Sequence, residues 1–127
     1  MEFPLVSIIV PMYNTAGCIA RCVKSICAQT YKSIEILLLN DGSTDDTLAV
    51  CRALAASDHR IALVDKTNTG AADTRNQGIA LAHAKAVLFV DDHERQVLKI
   101  HVFGQHGMRT KEHVKLARFQ LHMDALA

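Results

Sequence analysis

The sequence lacks most of the features that would assign it to a specialised class of protein. It has no C-x-x-C pair, no internal repeat and no low-complexity segment. Its apolar runs are too short for a membrane span, and its N-terminus lacks the basic region of a signal peptide. The net charge of +1 argues neither for nor against nucleic acid as a partner. With 127 residues, half of them hydrophobic, the chain is expected to form one globular domain. Since neither a signal peptide nor a membrane span is found, we expect it to be cytoplasmic or peripheral to the inner face of a membrane.

The positions of the four cysteines favour burial in the protein core. Cys18, Cys22 and Cys27 fall in one predicted helix, at positions compatible with its buried side, and Cys51 falls in the next helix. We expect all four to be small apolar residues of a reduced protein. A metal or disulfide site is the alternative interpretation.

Apolar runs and amphipathic segments alternate through the first 92 residues. The apolar runs at 6–10, 34–39, 61–64 and 86–90 predict four strands. The first is typical of a buried parallel strand and is expected to stop at Pro11. Helices are predicted at 16–29, after a cap at Ser43 or Thr44, and at 72–83. The second helix would carry Asp45 and Asp46 in its first turn.

This β-α-β-α-β-α-β order predicts an α/β fold with a mostly parallel sheet and helices on both faces. Ligands of such sheets bind beyond the carboxyl ends of the strands, near the point where strand order reverses. The segments after the four strands are "PMYN", "NDGSTDD", "DKTNTG" and "DDHE". All the conspicuously polar loops therefore lie at one edge of the predicted sheet.

Several side chains of these loops suit different parts of a nucleotide. Tyr13 offers an aromatic face to a base, and Asp41 can accept hydrogen bonds from a base or a ribose. Gly42 allows a close turn, and Arg75 is a cation near the start of the third helix. Asp91 and its neighbours are hard ligands for Mg²⁺ or Mn²⁺. Together these residues indicate a nucleotide-diphosphate ligand.

The segments "VSIIVPMYN", "SICAQTYKSIEILLLNDGSTDDT", "NTGAADTRNQGIALA" and "AVLFVDD" resemble the successive motifs of the family-2 glycosyltransferases, which have the GT-A fold. The resemblance covers about residues 4–92. It implies a nucleotide-sugar donor, commonly a UDP-sugar, and transfer of the sugar with inversion to a glycan or lipid-linked acceptor in polysaccharide biosynthesis. It also implies roles for individual residues: Pro11, Tyr13 and Asn14 match the first nucleotide-contacting loop, Asp41 matches the base-recognising aspartate, and Arg75 matches the arginine near the base and phosphates.

Asp91, Asp92 and His93 occupy the positions of the family's D-x-D motif. By resemblance, Asp92 faces the ribose, while Asp91 and His93 would hold Mn²⁺ or Mg²⁺. His93 departs from the usual aspartate, which should shift the preference toward Mn²⁺ because imidazole is a softer ligand. The alternative is that His93 is a surface residue that begins an unrelated tail.

The chain changes character at residue 93. Residues 1–92 carry a net charge of −2, and residues 93–127 carry +3 and five of the seven histidines. We therefore expect a nucleotide-sugar-binding half-domain at 1–93 and a divergent tail at 94–127, with a strand near 98–102 and a helix at 111–124. The tail shows none of the family's acceptor-site motifs, so the fold is predicted to be truncated.

Two functional hypotheses remain open. The first is an inverting glycosyltransferase whose sugar transfer is slow or absent when this short chain acts alone. The second is a non-catalytic nucleotide-sugar-binding remnant of a truncated or frame-shifted gene. They differ in whether a carboxylate general base exists. Only Glu94, Glu112 and Asp124 are available in the tail, and none lies in a family motif, so the catalytic residue is unknown. A receiver-type signalling domain is disfavoured because it needs acidic residues after the first strand. Association with a membrane or with a second copy is left open.

Overall fold

The computed structural model describes residues 4–84, 86–91 and 99–104; for residues 86, 91 and 99–104 the description covers the backbone. These residues form five strands and three helices in an alternating order. The elements are β1 (Val6–Met12), α1 (Ile19–Cys27), β2 (Ile34–Asp41), α2 (Thr47–Ser57), β3 (Ile61–Lys66), α3 (Ala71–Leu81), β4 (Ala86–Asp91) and β5 (Lys99–Gly104).

The strands form one sheet in the order β3-β2-β1-β4-β5. The first four strands run parallel, and β5 pairs with β4 in the antiparallel direction. The chain adds β2 and β3 on one side of β1 and then returns to add β4 on the other side. Strand order thus reverses between β1 and β4. This architecture confirms the predicted α/β fold and the strand expected near 98–102; the helix expected at 111–124 lies outside the described residues.

Helices cover both faces of the sheet, as the order of elements predicts. Helix α1 packs on one face because Ile19, Cys22, Val23 and Ile26 recur at helical spacing and are buried. Helix α2 adds to the same core, and α3 lies on the opposite face. The first core contains, among others, Ile8, Val10, Met12, Ile36, Leu38, Leu88 and Val90; the second contains Ile9, Leu37, Leu39, Val87 and Phe89. Consecutive residues of each strand therefore serve opposite faces.

A glycine brings α3 unusually close to the sheet. Gly78 is buried, and a Cβ atom added there would lie 2.5 Å from Ile9 Cγ2 and 2.8 Å from Leu39 Cδ1. The other buried residue of this helix is Thr74, whereas Ile79 and Leu81 are 42% and 45% exposed. Small residues, and not the large apolar ones, thus form the contact between α3 and the sheet.

Pro11 does not stop β1, contrary to the sequence prediction. The strand continues to Met12, and Pro11 pairs in register with Leu39 of β2. Pairing with β4 extends only from Val6 to Ile9. Pro11 therefore lies where β1 has a partner on one side, a position at which a missing N–H is tolerated.

The start of α2 was also predicted wrongly. The helix begins at Thr47 with Asp46 at the N-cap, and neither Ser43 nor Thr44 caps it. Asp45 and Asp46 precede the first turn, which holds no acidic residue. The physical reason is that the Ser43 side chain contacts Asn14 and Asn40, while the Asp45 side chain accepts from Ala16 N–H and Thr47 N–H.

The cysteines fit the predicted core role in part. Cys22 and Cys51 are buried, and Cys18 and Cys27 are half-buried. None of the four, all of which lie in the described part of the chain, forms a disulfide. Cys18 lies at the N-cap of α1 and not inside the helix, which corrects the expected start of that helix.

A polar cluster lies at the edge of the sheet where the parallel strands begin. The buried Ser7 hydroxyl donates to the Glu35 carboxylate, and Ala84 N–H donates to Ser7 Oγ at 3.1 Å. Glu35 also accepts from His83 N–H at 2.6 Å and lies 3.0 Å from His83 Nδ1. Burial raises the pKa of Glu35, but the hydrogen bonds from Ser7 and His83 outweigh it, so the pKa lies below its ordinary value. The cluster ties β1, β2 and the connection before β4 together.

No helix within the described ranges is long and apolar enough to span a membrane.

Candidate functional site

The carboxyl ends of the four parallel strands lie at one edge of the sheet, which we call the carboxyl edge. It comprises the strand ends at Met12, Asp41, Lys66 and Asp91 and the loops that follow the first three. The strand order places the ends of β1 and β4 side by side where the order reverses. Ligands of open parallel sheets bind in the crevice at such a point.

Asn14 joins the loop after β1 to the loop after β2. Its Oδ1 accepts from Thr44 N–H at 2.8 Å and from Asp45 N–H at 3.3 Å, and its own N–H donates to Ser43 Oγ at 3.0 Å. Asn14 has a φ of 53°, a left-handed conformation that asparagine adopts more readily than most residues. Asn14 therefore fixes two loops of the carboxyl edge relative to each other.

Asp45 and Thr47 strengthen the same link. Thr15 N–H donates to Thr47 Oγ1 at 2.8 Å, and Ala16 N–H donates to Asp45 Oδ2 at 3.3 Å. Asp45 Oδ1 accepts from Thr47 N–H at 2.9 Å and from the Thr47 hydroxyl. The hydrogen bond from that hydroxyl is the main reason why the pKa of Asp45 lies below its ordinary value.

Asp41 joins the end of β2 to the loop between β3 and α3. It is 5% exposed, and its Oδ1 accepts from Lys66 Nζ at 2.6 Å and from Thr69 N–H at 2.9 Å. Its Oδ2 accepts from Gly70 N–H at 3.2 Å. Burial raises the pKa of Asp41, but these hydrogen bonds, led by that from Lys66, hold it below its ordinary value. Asp41 is therefore a charged acceptor whose orientation is fixed.

Sequence reasoning did not identify Lys66. Its side chain is 9% exposed, and besides Asp41 its Nζ lies 2.9 Å from Thr67 O, 2.6 Å from Thr69 Oγ1 and 3.1 Å from Thr74 Oγ1. Its three N–H donors are thus shared among four acceptors. The signal available in the sequence was a lysine at the end of the third strand, level with an aspartate at the end of the second.

Gly42 keeps the loops after β2 and β3 in close contact. Its φ is 69°, and an added Cβ would lie 2.7 Å from Asn68 N. The sequence predicted a close turn at Gly42, and the structure confirms it. Asn40, one residue before Asp41, adds a second link, because its Nδ2 donates to Asp65 Oδ1 at 3.1 Å and its Oδ1 accepts from Ser43 Oγ at 2.5 Å.

Pro11, Tyr13 and Arg75, the remaining described nucleotide-site candidates, belong to or follow elements that this network joins. Pro11 is buried within β1, and Tyr13 follows the end of the strand with 42% of its surface exposed. Arg75 is half-buried in α3, the helix that begins directly after Gly70. The loop that Asp41 binds thus leads directly into the helix that carries Arg75.

The metal-site candidates lie largely outside the described residues. Asp91 is the last residue of β4, where its backbone pairs with Lys99 of β5. The Asp91 side chain, Asp92 and His93 are not described. Among the residues whose side chains are described, no group of three or more His, Cys, Asp or Glu could hold a metal ion. A site with three such ligands would therefore have to include side chains outside that described part of the chain.

The sequence model of the family described as glycosyl transferase family 2 matches residues 7–95. Glycosyltransferase GlyA of Streptococcus pneumoniae is 41% identical over 86 residues, which are 68% of this chain and 12% of that protein. Glycosyltransferase GlyG of the same organism is 41% identical over 88 residues, which are 68% of this chain and 29% of that protein. The chain thus spans less than a third of the length of either relative.

Solved structures show the same fold. Mannosyltransferase PcManGT from Pyrobaculum calidifontis, in complex with GDP-Man and Mn²⁺, matches with a TM-score of 0.67 at 29% identity, covering 72% of this chain and 28% of that one. S. aureus TarS 1–349, in complex with UDP, matches with a TM-score of 0.62 at 30% identity, covering 68% and 27%.

Proposed function

The chain belongs to glycosyl transferase family 2, and we propose that it forms the donor-binding part of an inverting glycosyltransferase. The main support for this proposal is the hydrogen-bond network at the carboxyl edge. Asn14 and Asp41 join the loops after β1, β2 and β3, so the segments that resemble the family's nucleotide-binding motifs are held together. A preformed arrangement lowers the entropy cost of binding a ligand there.

We propose that the nucleotide lies across this edge. Tyr13 would stack on the base, Asp41 would accept a hydrogen bond from it, and Arg75 would lie near the phosphates. Pro11 and Asn14 would shape the first loop. PcManGT and TarS, which have this fold, were solved with GDP-Man and with UDP, which supports a nucleotide-sugar donor. A UDP-sugar is our proposed donor.

We propose that Asp91 and His93 hold a divalent cation, with Asp92 toward the ribose. The fit rests on the chemistry of the donor set, since carboxylate and imidazole suit Mn²⁺, and on Asp91 ending β4 where strand order reverses. When bound, such a cation would offset the charge of the diphosphate leaving group. PcManGT contains Mn²⁺, which supports this assignment.

We propose a division at residue 93, with the nucleotide-sugar-binding part at 1–93 and a segment without acceptor-site motifs at 94–127. The acceptor would be a glycan or lipid-linked sugar in polysaccharide biosynthesis, at the inner face of a membrane or in the cytoplasm, and the chain would act alone or as a homo-oligomer.

The alternative is a non-catalytic nucleotide-sugar-binding protein. The change in charge and histidine content at residue 93 favours it, because the segment beyond has no recognisable general base. A positioned base contributes roughly 10²–10⁴-fold to a rate. We therefore expect this chain alone to bind donor but to transfer sugar slowly or not at all. Acceptor-dependent UDP release near 1 s⁻¹, the low end of ordinary enzymes, would contradict that expectation.

The test of donor binding compares two aspartate variants. Asp41→Asn should weaken UDP by about 1–3 kcal/mol, the usual cost of losing a charged partner in a buried site. Asp46→Asn is the matched control, because Asp46 is exposed at the N-cap of α2 and makes no side-chain capping bond there. Isothermal titration of both folded variants with UDP measures the difference. Equal affinity in the two would remove Asp41 from the nucleotide site.

A further inference from the structure

Lys66 occupies an environment that is rare for lysine. It ends β3, the strand at one border of the sheet, yet its side chain is only 9% exposed. Lysine is almost never buried unless its charge is paired. Here the three N–H donors of one ammonium group are shared among the Asp41 carboxylate and three oxygens of the β3–α3 segment, all within hydrogen-bond distance of Nζ. Lys66 therefore holds together the end of β2, the loop after β3 and the first turns of α3.

The contacts of Lys66 also determine how Asp41 can bind a ligand. A carboxylate oxygen accepts about two hydrogen bonds. Oδ1 of Asp41 already accepts from Lys66 Nζ and Thr69 N–H. Oδ2 accepts from Gly70 N–H, and the Thr74 hydroxyl also lies beside the carboxylate. Because the single proton of that hydroxyl is donated to Gly70 O at 2.8 Å, Oδ2 keeps capacity for one further donor. With the ammonium at 2.6 Å the carboxyl group stays ionised, and an ionised carboxylate can only accept.

An ionised Asp41 that can only accept hydrogen bonds discriminates between classes of nucleobase. Uracil and guanine present a ring N–H that can donate to Oδ2. Cytosine and adenine present a ring nitrogen with a lone pair at the equivalent position, which would oppose the carboxylate. A site built to pair one hydrogen-bonding group rejects a ligand that leaves it unpaired.

We propose that Lys66 is a positioning residue for base selection, which keeps Asp41 a fixed, acceptor-only group and so favours nucleotides with a ring N–H over those without one. The proposal rests on the proposed function, because it assumes that Asp41 contacts the base. Without the ammonium, burial would favour the protonated carboxyl group, which can donate to a ring nitrogen. Loss of Lys66 should therefore reduce selectivity as well as affinity.

The experiment measures the affinity of the full chain for UDP and CDP by isothermal titration. In Lys66→Met, UDP affinity should fall about tenfold, and the preference for UDP over CDP should also fall about tenfold. Lys66→Arg keeps the charge and should retain most of the preference. Lys32→Met is the matched control, because Lys32 is exposed and precedes β2 at the opposite edge of the sheet.

The outcomes separate this proposal from the one on which it rests. If the wild type binds neither nucleotide, the proposed function fails and the role of Lys66 fails with it. If the wild type prefers UDP and Lys66→Met keeps that preference, the role of Lys66 alone is wrong, even where both affinities drop together. If Lys66→Met does not fold, Lys66→Gln, which keeps a donor without the charge, carries the same prediction. Hydrogen exchange at the Thr69 and Gly70 amides, both bonded to Asp41, should accelerate in the variants that lose selectivity and in no others.

Discussion

Replacing Gly78 by alanine should destabilise the protein, although alanine is the better helix former. The substitution gains about 1 kcal/mol of helix propensity. Against this, the new Cβ would lie 2.5 Å from Ile9 Cγ2 and 2.8 Å from Leu39 Cδ1. Ordinary carbon contacts are about 3.5–4.0 Å, so α3 would have to move away from the sheet by about 1 Å. Ile9 and Leu39 are both fully buried, so neither can turn toward solvent.

The size of the effect follows from these opposing terms. Overpacking a dense core costs typically 1–3 kcal/mol, and two simultaneous contacts place this site toward the upper end. The net expectation is a loss of about 2 kcal/mol in the free energy of unfolding. Urea denaturation followed by far-UV circular dichroism measures it, since a lower midpoint at constant slope reports a change in stability.

Gly17→Ala is the control for this prediction. A Cβ at Gly17 would have nothing within 4 Å. Alanine there should leave stability unchanged or raise it by up to about 1 kcal/mol, because it restricts the unfolded chain. If Gly78→Ala proved as stable as the wild type, α3 would not pack on Ile9 and Leu39 as closely as described.

Substitutions at three further positions test other parts of the molecule. Gly42→Ala should cost more than 2 kcal/mol of stability by urea denaturation, because φ is 69° and the Cβ would meet backbone atom Asn68 N at 2.7 Å; wild-type stability would refute the close contact of the two loops. Glu35 has a pKa below its ordinary value of 4.5, so its contribution to stability is present above that pH and is lost as the pH falls through the folded-state pKa. Glu35→Gln should therefore lose less stability than the wild type on acidification below pH 4.5, and parallel acid-unfolding curves would contradict this. His93→Ala should weaken Mn²⁺-dependent UDP binding in titrations, and His93→Asp should favour Mg²⁺; identical metal dependence in all three proteins would exclude His93 from the site.

The strands and helices could be predicted because their signals are local. Each parallel strand contains a run of mostly apolar residues, and α1 carries apolar residues at helical spacing. Pro11 was misjudged because its tolerance depends on where the pairing with β4 ends, which is a property of the assembled sheet. The start of α2 was misjudged because the Asp45 side chain accepts from Thr47, the first residue of the helix, and from Ala16 in the loop after β1, and no local pattern shows the second contact.

The candidate site residues remain a prediction from the sequence, whereas the hydrogen bonds that join several of them became visible only in the structure. Tyr13, Asp41 and Arg75 were selected by their chemistry and by their place after predicted strands. Lys66 was missed because its bond to Asp41 spans 25 residues of sequence, and no local pattern links the two. Asn14 was assigned to the ligand, whereas the structure also gives it a role in holding Thr44 and Asp45.

The measurement that tests the central claim most directly is isothermal titration of the folded wild-type chain with UDP, with and without Mn²⁺. The claim is that the carboxyl edge is a preformed nucleotide-diphosphate site. We expect saturable binding at submillimolar UDP, tighter in the presence of Mn²⁺. Absence of binding up to millimolar UDP under both conditions, with folding verified by circular dichroism, would contradict it.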